Sequence, residues 1–321
     1  MKRILSIDGG GVRGVIPAVW LAALEKQVGG LARDQFDFVA GTSTGALIAA
    51  AVAVGIPAQT IVELYVDRAP KLFSKIPVIS TIRRILFGHM YDVEELHRLI
   101  RQELGSPAAD WQLNDVPRDI LITAKGLTDS HQWYFVKGNP RNSGRTGTLK
   151  LADCLTASAA APTFFAPRAV PGIEGLLVDG GTGVAGNPVY QACVEAFHFT
   201  DGYSETDTVV VSLGTGYFLK RKPPTWLYRW LSWLLAELLR SPGEQQTELV
   251  DRHFGDVRFY RVDLELPSDF SMDDATKMAD LKLLGEKLLP KIEWPKILDG
   301  TDTHWLVRKG HRQPSEYAEA V

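Results

Sequence analysis

Apolar residues along this chain follow two rhythms in turn. Short runs rich in β-branched residues end in glycine turns, and longer stretches between them repeat apolar positions three and four apart. The short runs predict strands at Arg3–Ile7, Phe36–Ala40, Asp119–Ala124, Trp133–Val136, Leu176–Val178, Thr208–Ser212 and Val257–Leu266. The longer periodicity predicts helices at Val15–Val28, where Pro17 is tolerated in the first turn, and at Ala46–Val54, closed by Gly55-Ile56-Pro57. Thr60–Phe73, Asp92–Leu104 and Asp274–Leu289 read as further helices, with Asp92 and Glu95 spaced as a capping box. From Pro290 onward no strong periodicity is visible. Alternating strands and helices predict an α/β layer architecture. No repeat, low-complexity run or linker divides the chain, so one domain is expected over 1–321, with a C-terminal tail from about 290.

Composition narrows the class of function. With 321 residues, 45% of them hydrophobic and 23% charged, the chain can bury a sizeable core without staples. A formal net charge of −3 argues against a partner such as DNA or RNA, which needs a broad basic face. Cys154 and Cys193, each in helix-like apolar sequence, read as reduced structural residues. Met1 to Asp8 runs straight into a strand, with no apolar signal core or cleavage site, so a cytoplasmic location is expected. The apolar stretch around Trp226 to Leu239 is interrupted by Arg229 and Glu237 and is too short and too charged to span a bilayer.

Three motifs carry chemistry. Ser43 sits in Gly41-Thr42-Ser43-Thr44-Gly45 between a strand and a helix. A serine on such a sharp turn projects its hydroxyl at a helix N-terminus, where the dipole and free N–H groups favour developing negative charge. The plain alternative is a glycine-rich turn with a capping serine. Asp8-Gly9-Gly10-Gly11-Val12-Arg13-Gly14 follows the first strand, and its consecutive glycines can aim several N–H groups at a phosphate or an oxyanion. The same string satisfies G-x-G-x-x-G, so a dinucleotide site is an alternative, with Asp34 or Asp37 at about the right distance for a ribose. Against it, Asp37 lies inside a segment that continues into the serine turn. Third, Val178-Asp179-Gly180-Gly181 ends an apolar strand in an aspartate, which can accept a serine proton if it is held close and partly desolvated. By itself it also reads as an ordinary Asp-Gly turn.

Taken together and in this order, these motifs resemble the patatin-like phospholipase family, as does the small-residue run Ala157-Ser158-Ala159-Ala160-Ala161-Pro162-Thr163-Phe164-Phe165. The similarity covers roughly residues 1 to 290. It implies a three-layer α/β/α fold with a mainly parallel sheet, a modified α/β-hydrolase-like arrangement. It implies a Ser–Asp dyad with Ser43 as nucleophile and Asp179 as base, and an oxyanion hole from the backbone of Gly9, Gly10 and Gly11. Asp8, Arg13, Gly14, Gly41, Gly45, Gly180 and Gly181 would support the site, Arg13 by bracing its loop, by meeting lipid phosphate or merely by a surface ion pair. Family members cleave acyl esters of phospholipids and related lipids, without metal or other cofactor in this branch. Some bacterial members are antiphage effectors switched on by cyclic oligonucleotides, so a cyclic dinucleotide activator is a further implication of the resemblance.

A conventional hydrolase would place a histidine after its acid, leaving His198, His253, His304 and His311 as candidates. The dyad needs none. Access to lipid is suggested by two amphipathic stretches. Trp226–Arg240 gathers Trp226, Leu227, Trp230, Leu231, Leu234, Leu235 and Leu238 on one helical face behind Lys220, Arg221 and Lys222. Leu72–Met90 mixes apolar residues with Lys75, Arg83 and Arg84. Either stretch would suit peripheral contact with the inner membrane, or would instead cover the core or make a homo-oligomer contact. The rival to catalysis is a nucleotide- or lipid-binding module whose glycine loop merely holds phosphate.

Overall fold

The computed structural model describes residues 1–68, 90–139, 141, 146–218, 243–267, 270 and 273–307. Strand β1 (Lys2–Ile7) alternates its side chains between two cores, with Leu5 and Ile7 in one apolar cluster and Ile4 in the other. Such a split is what a pleat of period two produces when both faces are covered. On β2 (Phe38–Gly41), Val39 opposes Phe38 and Ala40. On β3 (Asp119–Gly126), Ile120 and Ile122 oppose Leu121. The pattern repeats on β6 (Thr208–Leu213) and β7 (Arg258–Val262).

Helices therefore cover both faces, giving three layers. The larger layer contains α1 (Val15–Val28), α2 (Thr44–Val54), α3 (Ala58–Asp67), α4 (Val93–Leu104) and α5 (Leu151–Ser158). It is completed by α8 (Met278–Leu288) and α9 (Trp294–Leu298). The opposite face is covered by α6 (Val189–Val194) and by α7, over 243–253. Buried, free Cys154 and Cys193 lie in opposite layers, on α5 and α6.

The sheet runs β4-β3-β2-β1-β6-β7, β4 being Gln132–Val136. Neighbours from β3 through β7 along this path are parallel, and β4 is antiparallel to β3. From β1 the chain steps to β2 on one side and later to β6 on the other. That reversal opens a crevice at the carboxyl end of β1, the place where α/β sheets hold ligands.

Strand β5 (Leu177–Asp179) decides the geometry of the site. Lys125 of β3 pairs with Gln132 of β4 and also with Val178 of β5, so β5 occupies the β3 edge opposite β4. That edge is the one β2 uses lower down, where Gly41 pairs with Ile122. β2 leaves it at the serine turn, and β5 comes in antiparallel to fill the remainder, with Asp179 opposite Ala124.

Predicted and observed elements differ at several boundaries. The second strand starts at Phe38 because the Asp37 carboxylate is bound by Lys2 Nζ at 2.8 Å and the Arg3 N–H at 2.9 Å, which holds the chain in a turn before it. Asp92 caps α4 by accepting from the Glu94 N–H at 2.9 Å, while the Glu95 side chain turns to Arg98 and closes no capping box. The last long helix opens with a separate 3-10 turn at Ala275–Lys277 before α8. The helix-like sequence around Cys154 and Cys193 forms α5 and α6, but no bounds could be read for them: each is short and largely buried, so neither shows an apolar stripe against a polar one.

The expected tail from about 290 is in fact packed. Trp294, Ile297 and Leu298 are buried in the main core. Gln27 clamps the segment by donating to the Ile292 carbonyl at 3.0 Å and accepting from the Trp294 N–H at 2.9 Å. A five-residue helix is too short to display a period. Among the described residues no helix is long and apolar enough to cross a membrane. The Trp226–Arg240 stretch lies outside the described residues, as does Leu72–Met90 apart from Met90 itself.

Candidate active site

Ser43 occupies the hinge between β2 and α2 with φ 55° and ψ −124°. A residue with a side chain in this region carries of order 1–3 kcal/mol of strain, tolerated where the surroundings over-determine it. The flanking glycines show why. A Cβ on Gly41 would lie 2.2 Å from the Gly45 carbonyl oxygen, and one on Gly45 would lie 2.2 Å from the Ile7 carbonyl oxygen. The ends of β1 and β2 and the first turn of α2 thus meet in backbone contact, and only Ser43 projects from the bend. Its hydroxyl makes no capping bond to the helix, and its N–H donates to Ser158 Oγ at 2.9 Å.

Asp179 ends β5 facing this turn and is only 6% exposed. Burial pushes its carboxyl up to about 6, against the opposing influence of the Ser43 hydroxyl and then of the Gly181 N–H, which donates to it at 2.8 Å. Its own N–H donates to the Ala160 carbonyl at 3.0 Å. Gly180 lies against Thr123 of β3. Among the described residues no histidine hydrogen-bonds Asp179. His253 Nδ1 meets Tyr190 Oη at 2.9 Å, His198 packs on Phe254 and His304 on Trp305. His311 lies outside the described residues.

The glycine loop adjoins both. A Cβ on Gly9 would sit 3.4 Å from Ser43 Cβ, so the loop passes directly beside the serine. Its donors are not equivalent. The Gly9 N–H is taken by the Gly186 carbonyl at 2.9 Å, whereas those of Gly10 and Gly11 have no hydrogen-bond partner among the described residues. Of the three expected oxyanion donors, Gly9 is therefore committed to holding the loop. Thr215 Oγ1 donates to the Gly9 carbonyl at 2.8 Å and fills the space a Cβ on Gly10 would need. Arg13 braces the loop, donating to the carbonyls of Gly10 at 3.4 Å and Gly216 at 3.2 Å. Gly14 backs onto Thr44 and Tyr65.

Asp8 anchors this loop from below. Arg261 of β7 grips its carboxylate with two nitrogens at 2.9 and 2.6 Å and also reaches Asp263 at 2.8 Å and Ser212 Oγ at 2.7 Å. Burial raises the Asp8 carboxyl to about 6, with Arg261 pulling the other way, so at neutral pH it stays ionised. Arg261→Met would leave two mostly buried carboxylates without their cation. Breaking such a pair typically costs about 3–5 kcal/mol, and urea unfolding at pH 7 should show that loss, with part of it recovered near pH 5 as the Asp8 carboxyl takes up a proton.

The dinucleotide reading is excluded by position. Asp37 precedes β2, at the end of the sheet away from the glycine loop, and its carboxylate is held by Lys2 and Arg3. Asp34 is paired with Arg33 and Arg118, both at 3.6 Å. The carboxyl end of β2, where a ribose-binding acid belongs, leads into Ser43. Sequence reading missed Arg261, Thr215 and the supporting role of Ser158. Arg261 did leave a trace, as a second cation beside Arg258 inside an apolar strand pattern, but its partner Asp8 is 253 residues away.

Fold and site define an α/β protein with a serine on a strand–turn–helix elbow, an aspartate facing it and, alongside, backbone donors without a partner among the described residues. Residues 5–193 match the patatin-like phospholipase family, and the chain belongs to it. Among similar curated proteins, a cGAMP-activated phospholipase of Escherichia coli (strain TW11681) is 30% identical over 226 residues, covering 66% of this chain and 62% of that protein. A cGAMP-activated phospholipase of Vibrio cholerae is 29% identical over 230 residues, 66% of this chain and 64% of that one. Patatin-like protein 2 of Oryza sativa subsp. indica is 30% identical over 347 residues, 91% of this chain and 84% of that one. The chain thus spans just under two thirds of the length of the two bacterial relatives and most of the rice one.

Proposed function

We propose that this chain is a lipid acyl hydrolase of phospholipase A type, working through Ser43 and Asp179. The observation that carries this is the meeting of a strained serine with a buried carboxylate, beside two N–H groups of the glycine loop that have no hydrogen-bond partner among the described residues. Ser43 Oγ attacks the ester carbonyl carbon while its proton passes to Asp179. Burial makes Asp179 a stronger base than an exposed carboxylate, and its value near 6 leaves it ionised at neutral pH. The carbonyl oxygen, now negative, is received by the Gly10 and Gly11 N–H groups, with Gly9 as their support. As the tetrahedral intermediate collapses, the leaving alkoxide takes the proton from Asp179 and departs as lysophospholipid or alcohol. Water then attacks the acyl carbon on Ser43, gives its proton to Asp179, and the fatty acid leaves as Ser43 regains a proton.

That the substrate is a phospholipid at a membrane surface rests on the family and on the names of the relatives. Those two bacterial relatives also support a cyclic dinucleotide as activator of this chain. The test is mass spectrometry of products from mixed phospholipid vesicles with and without cGAMP. Release of fatty acid and lysophospholipid is expected, rising by roughly 5- to 150-fold with cGAMP, the range of ordinary allosteric coupling. Equal release in both arms would remove the activator from the reading while leaving the hydrolase in place.

A further inference from the structure

We infer that Ser158, at the end of α5, is a positioning residue that holds the Ser43 elbow in register with Asp179; this rests on the dyad reading above. Two hydrogen bonds converge on one short turn of chain. Ser158 Oγ accepts from the Ser43 N–H at 2.9 Å, and the Ala160 carbonyl accepts from the Asp179 N–H at 3.0 Å. The end of α5 and the residues just after it therefore grip both the nucleophile and the base by their own backbone amides. Ser158 is fully buried, and α5 packs against both β3 and β5. A rigid element thus sets the distance between two groups that arrive on different strands.

The serine side needs this support more. Ser43 sits at positive φ, a conformation its own side chain disfavours. The bond to Ser158 Oγ holds its N–H in that conformation. Without an acceptor there, the elbow can relax, and the hydroxyl moves away from the carboxylate. An aspartate two residues apart in sequence from Gly181 is already fixed by that N–H, whereas the serine hydroxyl is held by no such local bond. Other ties at the elbow, Thr42 Oγ1 to Thr123 Oγ1 of β3 at 2.7 Å and Thr42 Oγ1 to the Ala185 carbonyl, act on the residue before the nucleophile and leave its own amide to Ser158.

The experiment compares wild type, Ser158→Ala and Ser158→Cys on a soluble ester and in the rate of covalent labelling by a fluorophosphonate, with thermal unfolding measured alongside. The thiol keeps roughly the shape but accepts hydrogen bonds weakly. Misplacing a reacting group by about 1 Å costs on the order of a hundredfold. Both variants should therefore lose kcat and labelling rate by roughly ten- to a hundredfold, with KM within about twofold of wild type. If Ser158→Ala does not fold, Ser158→Cys decides alone. Wild-type kcat and labelling in a folded variant would overturn the positioning role while leaving the dyad standing. Failure of wild type itself to label at Ser43 would instead overturn the dyad.

Discussion

Ser43→Ala loses ester hydrolysis almost entirely, with kcat expected to fall by on the order of 10⁴- to 10⁶-fold, as when other serine hydrolases lose their nucleophile. The size follows from what goes with the hydroxyl. No acyl-enzyme can form, and Gly10, Gly11 and Asp179 are left to assist a direct attack by water for which they are not arranged. Stability moves the other way. Because Ser43 is held at φ 55° and ψ −124°, its side chain works against the fold. Ser43→Gly removes that strain and should raise the unfolding free energy by about 1 kcal/mol or more. Product release from vesicles, together with urea unfolding of both variants, checks the two halves. Normal fatty-acid release by Ser43→Ala would end the assignment. A Gly variant less stable than wild type would show that the elbow is not strained.

Asp179→Asn should cost kcat on the order of 10⁴-fold, because the amide cannot take the serine proton. It keeps an oxygen for the Gly181 N–H, so the β5 turn persists. In the wild type the base must be ionised to act. With its carboxyl raised to about 6, kcat/KM should hold above that pH and fall about tenfold per unit below it. The linkage to stability has the opposite sense. The folded carboxyl titrates near 6 against an ordinary 3.8, so between those values the folded chain holds a proton that the unfolded chain has released. Stability therefore declines as pH rises from about 4 to about 6, and a cost of roughly 2–3 kcal/mol persists at neutral pH. Asparagine carries no charge to desolvate. Asp179→Asn should accordingly be the more stable protein at pH 7, with the advantage gone near pH 4. A variant that is inactive and also less stable at pH 7 would mean that Asp179 supports the fold more than the chemistry.

Much of this was legible in local patterns. Short apolar runs placed each strand within a few residues, because a strand covered on both faces must be apolar throughout. Gly41 and Gly45 marked the elbow because backbone meets backbone there and no other residue fits. The consecutive glycines marked a loop with amides to spare, although not that the Gly9 amide would be used by Gly186. A boundary failed where side chains acted on backbone, as at Asp37 before β2, whereas Asp92 capped its helix where the pattern put it.

Sequence by itself therefore determined the layer class, the serine elbow, the glycine loop and the strand that ends in Asp179, since each depends on residues within a few positions of one another. Tertiary structure alone decided that these parts form one site. β5 reaches Ser43 only because β2 abandons the β3 edge at its turn and leaves that edge to be filled. Asp8 is fixed by Arg261 from the far end of the chain, the Ser43 amide by Ser158, and the packing of α9 by Gln27. Such partners lie from 115 to 267 residues apart. No local period or motif encodes them, because only packing the helices on the sheet brings them within reach.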